Sequence, residues 1–142
     1  MFKPILRNTR LVSLFLVCSC AQNLHAQRAQ SVDDVVAHES ELVGKSVTVT
    51  GYLRFGDDSR NLWSSRQVYL RVANEDAQPD DPAWNRCITL YDIDGFREKL
   101  VAHNNDYVLV SGVVQRLARQ EGEITTSSCN ELGISVRSLK AR

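Results

Sequence analysis

Between Ser46 and Phe55 the apolar residues Val47, Val49, Leu53 and Phe55 recur on alternate positions, with polar or amphipathic residues between them. A period of two predicts a half-buried strand. Gly51, in the middle of it, suits a bulge or a sharp coil where one strand bends to join two sheet halves. Upstream the spacing changes. Val32, Val35, Val36 and Leu42 share one helical face, Ser31-Val32-Asp33-Asp34 has the form of a capping box, and Gly44 is a natural stop. These signals predict a helix over 32–42.

Further along, Gly56-Asp57-Asp58-Ser59 reads as a turn, and the interrupted β-like pattern from Asn61 to Val72 as a second strand. A long polar loop over 73–86 follows, and loops of that length in small domains are often functional. Cys87 to Ile93 alternates again and predicts a third strand. Asp94 caps a short helix through Val101 that buries Phe96 and Leu100. After a turn at Asn104-Asn105, a long strand runs from Asp106 to Leu117. A polar loop over 119–127 then leads through Cys129 to a last strand carrying Ile134, Val136 and Leu139. Val47-Thr48-Val49-Thr50-Gly51 and Val108-Leu109-Val110-Ser111-Gly112 share the pattern V-x-V-x-G, so two long strands are expected to bend at a glycine.

The first 26 residues differ in kind. Lys3, Arg7 and Arg10 precede the apolar run from Leu11 to Cys18, and Leu24-His25-Ala26 offers a cleavage site, which together read as a signal peptide. The apolar run is shorter than a bilayer span requires. Val17-Cys18-Ser19-Cys20 also resembles a lipobox, so lipidation at Cys20 competes with cleavage after Ala26. On this reading residues 27–30 are a linker and 31–142 the folded domain. The leader removes three of the 17 basic residues and none of the 17 acidic ones, leaving 14 against 17 and a net charge of −3. A mildly acidic domain argues against nucleic-acid binding, which draws on phosphate neutralisation by a basic surface. Cys87 and Cys129 are the cysteines that remain. In an oxidising compartment they most simply form one disulfide, and a free thiol pair or a two-ligand metal site is the alternative.

Helix, three strands, short helix, two strands is the order of a mainly β, five-stranded OB-like Greek-key barrel, with an N-terminal helix and a short helix between strands 3 and 4. Asp33 through Arg54, with Gly44-Lys45-Ser46-Val47-Thr48-Val49-Thr50-Gly51 after its helix, resembles the opening of OB-fold domains similar to the tRNA-anticodon-binding type, especially small exported or lipoprotein bacterial members. The resemblance covers roughly residues 31–139. It implies a fold, and that fold hosts many functions.

The candidate chemistry is thin. His25 lies in the leader, His38 on the polar side of the first helix and His103 in a turn, and no serine has a G-x-S-x-G context. Asp92-x-Asp94-Gly95 has its glycine too early for a calcium loop and lacks the twelfth-position glutamate. Glu75, Asp76, Asp80 and Asp81 read as solvated carboxylates, so no metal and no cofactor is expected. Binding is the better fit. Such barrels commonly receive ligands on the face of strands two and three. Tyr52 and Arg54 point away from Leu53 and Phe55, and Trp63, Tyr69 and Arg71 can extend that face with aromatic and cationic groups, the alternative being that Trp63 or Tyr69 caps the barrel core. The expectation is an exported, non-catalytic binding module of the cell envelope whose partner is a protein or envelope ligand, with membrane contact only through a lipid anchor. The competing expectations are a small exported metal-dependent hydrolase or nuclease, drawing on Arg71, Glu75 and Asp76, and a purely structural envelope component.

Overall fold

The computed structural model describes residues 28–56, 59–74, 81–116 and 129–142. The leader with Cys20, the acidic positions Glu75, Asp76 and Asp80, and the 119–127 loop lie outside the described residues. Among the described residues no helix is long and apolar enough to cross a membrane.

The fold is mainly β. A two-residue strand β1 (Gln30–Ser31) leads into helix α1 (Val32–Ala37), a second short helix α2 (Glu39–Leu42) and the long strand β2 (Ser46–Gly56). Strand β3 (Ser59–Trp63), helix α3 (Arg66–Ala73) and a 3-10 turn (Pro82–Asn85) precede β4 (Cys87–Tyr91). A second 3-10 turn (Asp94–Phe96) runs into α4 (Arg97–Ala102), and β5 (Tyr107–Arg116) and β6 (Leu132–Ala141) complete the chain. The strands pair in the order β1-β2-β3-β4-β6-β5, and β5 pairs back onto β2, so the sheet closes into a ring. β1 with β2 and β4 with β6 are parallel, and the other pairs are antiparallel.

The alternation read from the sequence fills this ring. Val47, Val49, Leu53 and Phe55 of β2 point inward with Val108, Val110 and Val114 of β5 and Ile134, Val136 and Leu139 of β6. Val32 and Val35 of α1 and Leu100 of α4 close the interior. Side chains such as Leu53, Leu62, Ile88 and Leu90 are fully buried, each contributing on the order of 2 kcal/mol of apolar transfer.

The two V-x-V-x-G segments pair with each other. Val47 lies opposite Gly112, Val49 opposite Val110, and Gly51 opposite Val108, so each glycine faces the other motif's first valine. Both glycines mark close approaches. A Cβ on Gly51 would stand 2.6 Å from Leu62 Cγ, and one on Gly112 would stand 2.2 Å from the Ser135 carbonyl oxygen. The irregularity of register falls between Ser111 and Gly112 in the β5–β6 pairing, where the partners step from Ser138 to Val136 and pass over Arg137. That extra residue on β6 explains why Val136 and Leu139 both face inward at a spacing of three.

The helix expected over 32–42 is present in two pieces. Its start is the predicted capping box: Asp34 N donates to Ser31 Oγ and Ser31 N donates to Asp34 Oδ2, both at 3.0 Å. Its continuity fails at His38, whose backbone leaves helical geometry while its Nδ1 bonds the Asp34 carbonyl oxygen at 2.9 Å. A larger correction concerns 61–72. Only Ser59–Trp63 is strand, and Val68 to Val72 belong to α3. Val68, Leu70 and Val72 alternate as a strand would, but Val68 and Val72 also stand four apart, and Ser65 Oγ caps the helix by accepting from Val68 N at 3.2 Å. The two valines are buried while Leu70 between them is exposed, as helical phase requires.

Candidate functional site: an aromatic groove with two arginines

The side of the β2–β3–β4 sheet that faces away from the ring interior is mostly covered. Tyr52, Trp63 and Cys87 stand side by side across the three strands, Tyr52 opposite Trp63 and Trp63 opposite Cys87. Val68 and Val72 of α3 and Ala83 of the 3-10 turn pack onto them and form a second buried cluster, with Tyr69 and Cys129 at its margin. Cys87 and Cys129 are joined in a disulfide, as expected, with Cα atoms 5.4 Å apart.

This cover sorts the residues expected on the binding face. Trp63 is sealed beneath it, 6 % exposed, and its Nε1 is shielded from solvent with no acceptor among the described residues. Arg71 is on the surface and ion-pairs with Asp81, whose Oδ1 also accepts from Ala83 N at 2.8 Å. Its charge thus ties α3 to the 3-10 turn. A second exposed ion pair, Arg86 with Asp33, ties that turn to α1: Nε donates to Oδ1 at 2.9 Å and Nη2 to Oδ2 at 2.6 Å. The bond to Asp33 holds the Arg86 guanidinium above its ordinary range.

Tyr52, Arg54 and Tyr69 do come together, where the cover ends. They line an open groove of about 580 Å³ with Arg66 and Leu70 of α3 and with Tyr107 of β5. The Tyr52 ring centre lies 5.9 Å from that of Tyr69 and 5.6 Å from that of Tyr107. Trp63 meets Tyr69 edge-on at 5.7 Å from below. Arg54 places its guanidinium carbon 4.7 Å from the centre of the Tyr69 ring, a cation–π contact.

The turn before β5 holds this arrangement. Asn105 has a left-handed backbone (φ 74°), which asparagine tolerates better than most residues. Its N–H donates to the Leu53 carbonyl at 3.0 Å, Leu53 N donates to the Asp106 carbonyl at 2.9 Å, and Phe55 N donates to Asn104 Oδ1 at 2.9 Å. The turn is thereby fastened along β2. Asn105 Oδ1 then accepts from both Tyr52 Oη, at 3.3 Å, and Arg54 Nη1. Arg66 N donates to Tyr107 Oη at 3.1 Å and joins α3 to β5 across the groove.

Arg66, Leu70, Asn105 and Tyr107 were not among the expected site residues. Tyr107 precedes Val108 and so faces out where Val108 faces in, which is a signal of orientation and not of proximity to Tyr52. Among the described residues no three or more of His, Cys, Asp and Glu gather in a way that could hold a metal ion.

Comparison with protein families finds no match, and comparison with curated proteins finds none. Among solved structures, two OBody chains, each bound to hen egg-white lysozyme, are similar. One is 14 % identical over 80 % of this chain and 92 % of that chain, with a TM-score of 0.45. The other is 17 % identical over 71 % of this chain and 82 % of that chain, with a TM-score of 0.40. Neither likeness is close enough to speak for fold or ligand.

Proposed function

We propose that the protein is an exported, non-catalytic binding module of the cell envelope, built on an OB-like five-stranded barrel, which receives its ligand in the Tyr52–Arg54–Tyr69–Tyr107 groove. The observation that carries this reading is the groove itself. It is where the outward face of β2 stays open beside α3 and the start of β5, and cations, aromatic rings and exposed Leu70 meet there. Ligand sites are typically concave, with apolar walls and a few placed polar groups, and the volume is in their usual range. The barrel assignment draws support from the ring closure: the five long strands, numbered in chain order, are neighbours in the sequence 1-2-3-5-4-1. Export draws support from the disulfide, which is consistent with an oxidising compartment.

The test is photo-crosslinking in the exporting cell. A photoreactive amino acid replacing Leu70 should give a discrete envelope adduct in the periplasmic fraction. The same group replacing Lys140, on the exposed end of β6, should not. Identical adducts from both positions, or none from Leu70, would refute the groove as the binding place.

A further inference from the structure

We propose that the groove is an anion site, taking a carboxylate or phosphate group carried on a flat apolar body. This deepens the reading above and rests on it. Arg71, Arg86 and Arg116 each have a carboxylate partner, in Asp81, Asp33 and Glu39. Arg54 and Arg66, which line the groove, have none among the described residues. In a mature chain of net charge −3, two unpaired guanidinium groups against the single carboxylate of Asp106 leave this cavity locally positive.

Arg54 is also held ready. One face lies against Tyr69, Nη1 is bonded to Asn105 Oδ1, and Nε is shielded from water with no acceptor among the described residues. A guanidinium that has lost part of its hydration and most of its rotational freedom binds an oxyanion through charge-assisted hydrogen bonds at little further ordering cost. Tyr107 adds a donor. Its oxygen accepts from Arg66 N, so its own O–H proton must point to another acceptor, and its side chain is partly exposed. Tyr69, Tyr107 and Leu70 supply the walls for the apolar body.

The carboxylate that lines the groove is Asp106, mostly exposed, with His103 Nδ1 3.8 Å from it. It opposes an incoming anion. Arg54 and Asp106 are therefore expected to act in opposite directions, a pattern that a merely structural role for either residue does not produce.

The experiment is amide-resolved NMR titration of the mature protein with three probes. Hippurate offers a carboxylate, phenyl phosphate a phosphate, and hippuramide is the uncharged twin of hippurate. At least one anion should shift the amides of Tyr69, Leu70 and Tyr107, and the tighter of the two identifies the headgroup; hippuramide should leave those amides in place. Arg54→Gln should weaken the anion tenfold or more, the usual cost of losing a charged hydrogen-bond partner. Asp106→Asn should tighten it severalfold. Arg66→Gln, at an exposed position outside both cores, covers the case in which Arg54→Gln does not fold, and should weaken the anion too. Equal shifts from hippurate and hippuramide, no shift from either anion, or unchanged affinity in both arginine variants would overturn the proposal. Leu70 crosslinking with no anion response would overturn the anion assignment alone, whereas an anion response without Leu70 crosslinking would count against the envelope partner and leave the anion site standing.

Discussion

Gly112→Ala tests the packing of the ring at its tightest point. A Cβ there would sit 2.2 Å from the Ser135 carbonyl oxygen and 2.5 Å from Ile134 Cγ2. Carbon–oxygen contacts settle at about 3.3 Å, so β5 and β6 must part locally by roughly 1 Å. The obstacle is backbone on a paired strand, which no rotamer change relieves. Parting by that distance takes the adjacent ladder bonds beyond hydrogen-bonding range, at about 1 kcal/mol for each of one or two bonds. Overpacking adds about 1–3 kcal/mol. Replacing glycine returns about 0.5 kcal/mol by reducing the freedom of the unfolded chain. The net expectation is a loss of about 3 kcal/mol, or roughly 12 °C in Tm for a domain of this size.

The assay is urea unfolding at 25 °C followed by far-UV circular dichroism, where the midpoint should fall while the m-value holds. Gly95→Ala is the control, because a Cβ there meets nothing within 4 Å, and it should match the parent within about 0.5 kcal/mol. A Gly112→Ala protein as stable as the Gly95→Ala protein would show that the strands are not in contact as described.

The other expectations are shorter. The Cys87→Ser/Cys129→Ser protein should lose about 4 kcal/mol in denaturant, the chain-entropy value for a separation of 42 residues, and the parent should gain two mass units on reduction. Trp63→Ala should cost about 3–5 kcal/mol in the same measurement, as loss of a buried aromatic does; a cost under 0.5 kcal/mol would mean that the indole lies on the surface. The Ser31 hydroxyl, then its backbone N–H, holds the Asp34 carboxyl below its ordinary value of 3.8. A depressed carboxyl stabilises the fold above the unfolded value and loses that contribution as pH falls through the folded one. Stability of the parent should therefore drop more steeply with acid below about pH 4 than that of Ser31→Ala, and parallel curves would contradict the capping box.

What the sequence made legible was local. Alternation in Val47–Phe55 and Val108–Val114 identified inward-facing residues, and Ser31 with Asp34 identified a helix start, because each is a short-range steric or hydrogen-bonding preference. One error of period then propagated. Tyr69 and Arg71 share a face if 68–72 is a strand, but on a helix residues two positions apart point about 200° away from each other. Reading helix as strand therefore placed Arg71 beside Arg54, when it faces Asp81 instead. The same error hid the cover over Trp63, since only a helix brings Val68 and Val72 down together onto the outer sheet face. Arg66, Asn105 and Tyr107 were invisible for a different reason. Asn105 and Tyr107 meet Tyr52 and Arg54 across about fifty residues of chain, Arg66 meets Tyr107 across 41, and nothing in their own neighbourhoods encodes those meetings.

The cover changes what the outward face of β2 and β3 can do. An open OB-like face can lay out a row of aromatic and basic groups along an extended ligand. Here the cluster around Trp63, the Cys87–Cys129 bond and the Arg71–Asp81 pair occupy most of that face. An extended chain has nowhere to lie on it. What remains accessible is the groove of about 580 Å³, bounded on one side by the turn fastened along β2 and on the other by α3. Tyr69 belongs to both places: it is the roof edge of the buried cluster and the floor under Arg54. The packing that stabilises the cover is therefore the same packing that fixes the guanidinium in the groove, so damage to the cover should appear as weakened binding at Arg54 before the ring itself unfolds.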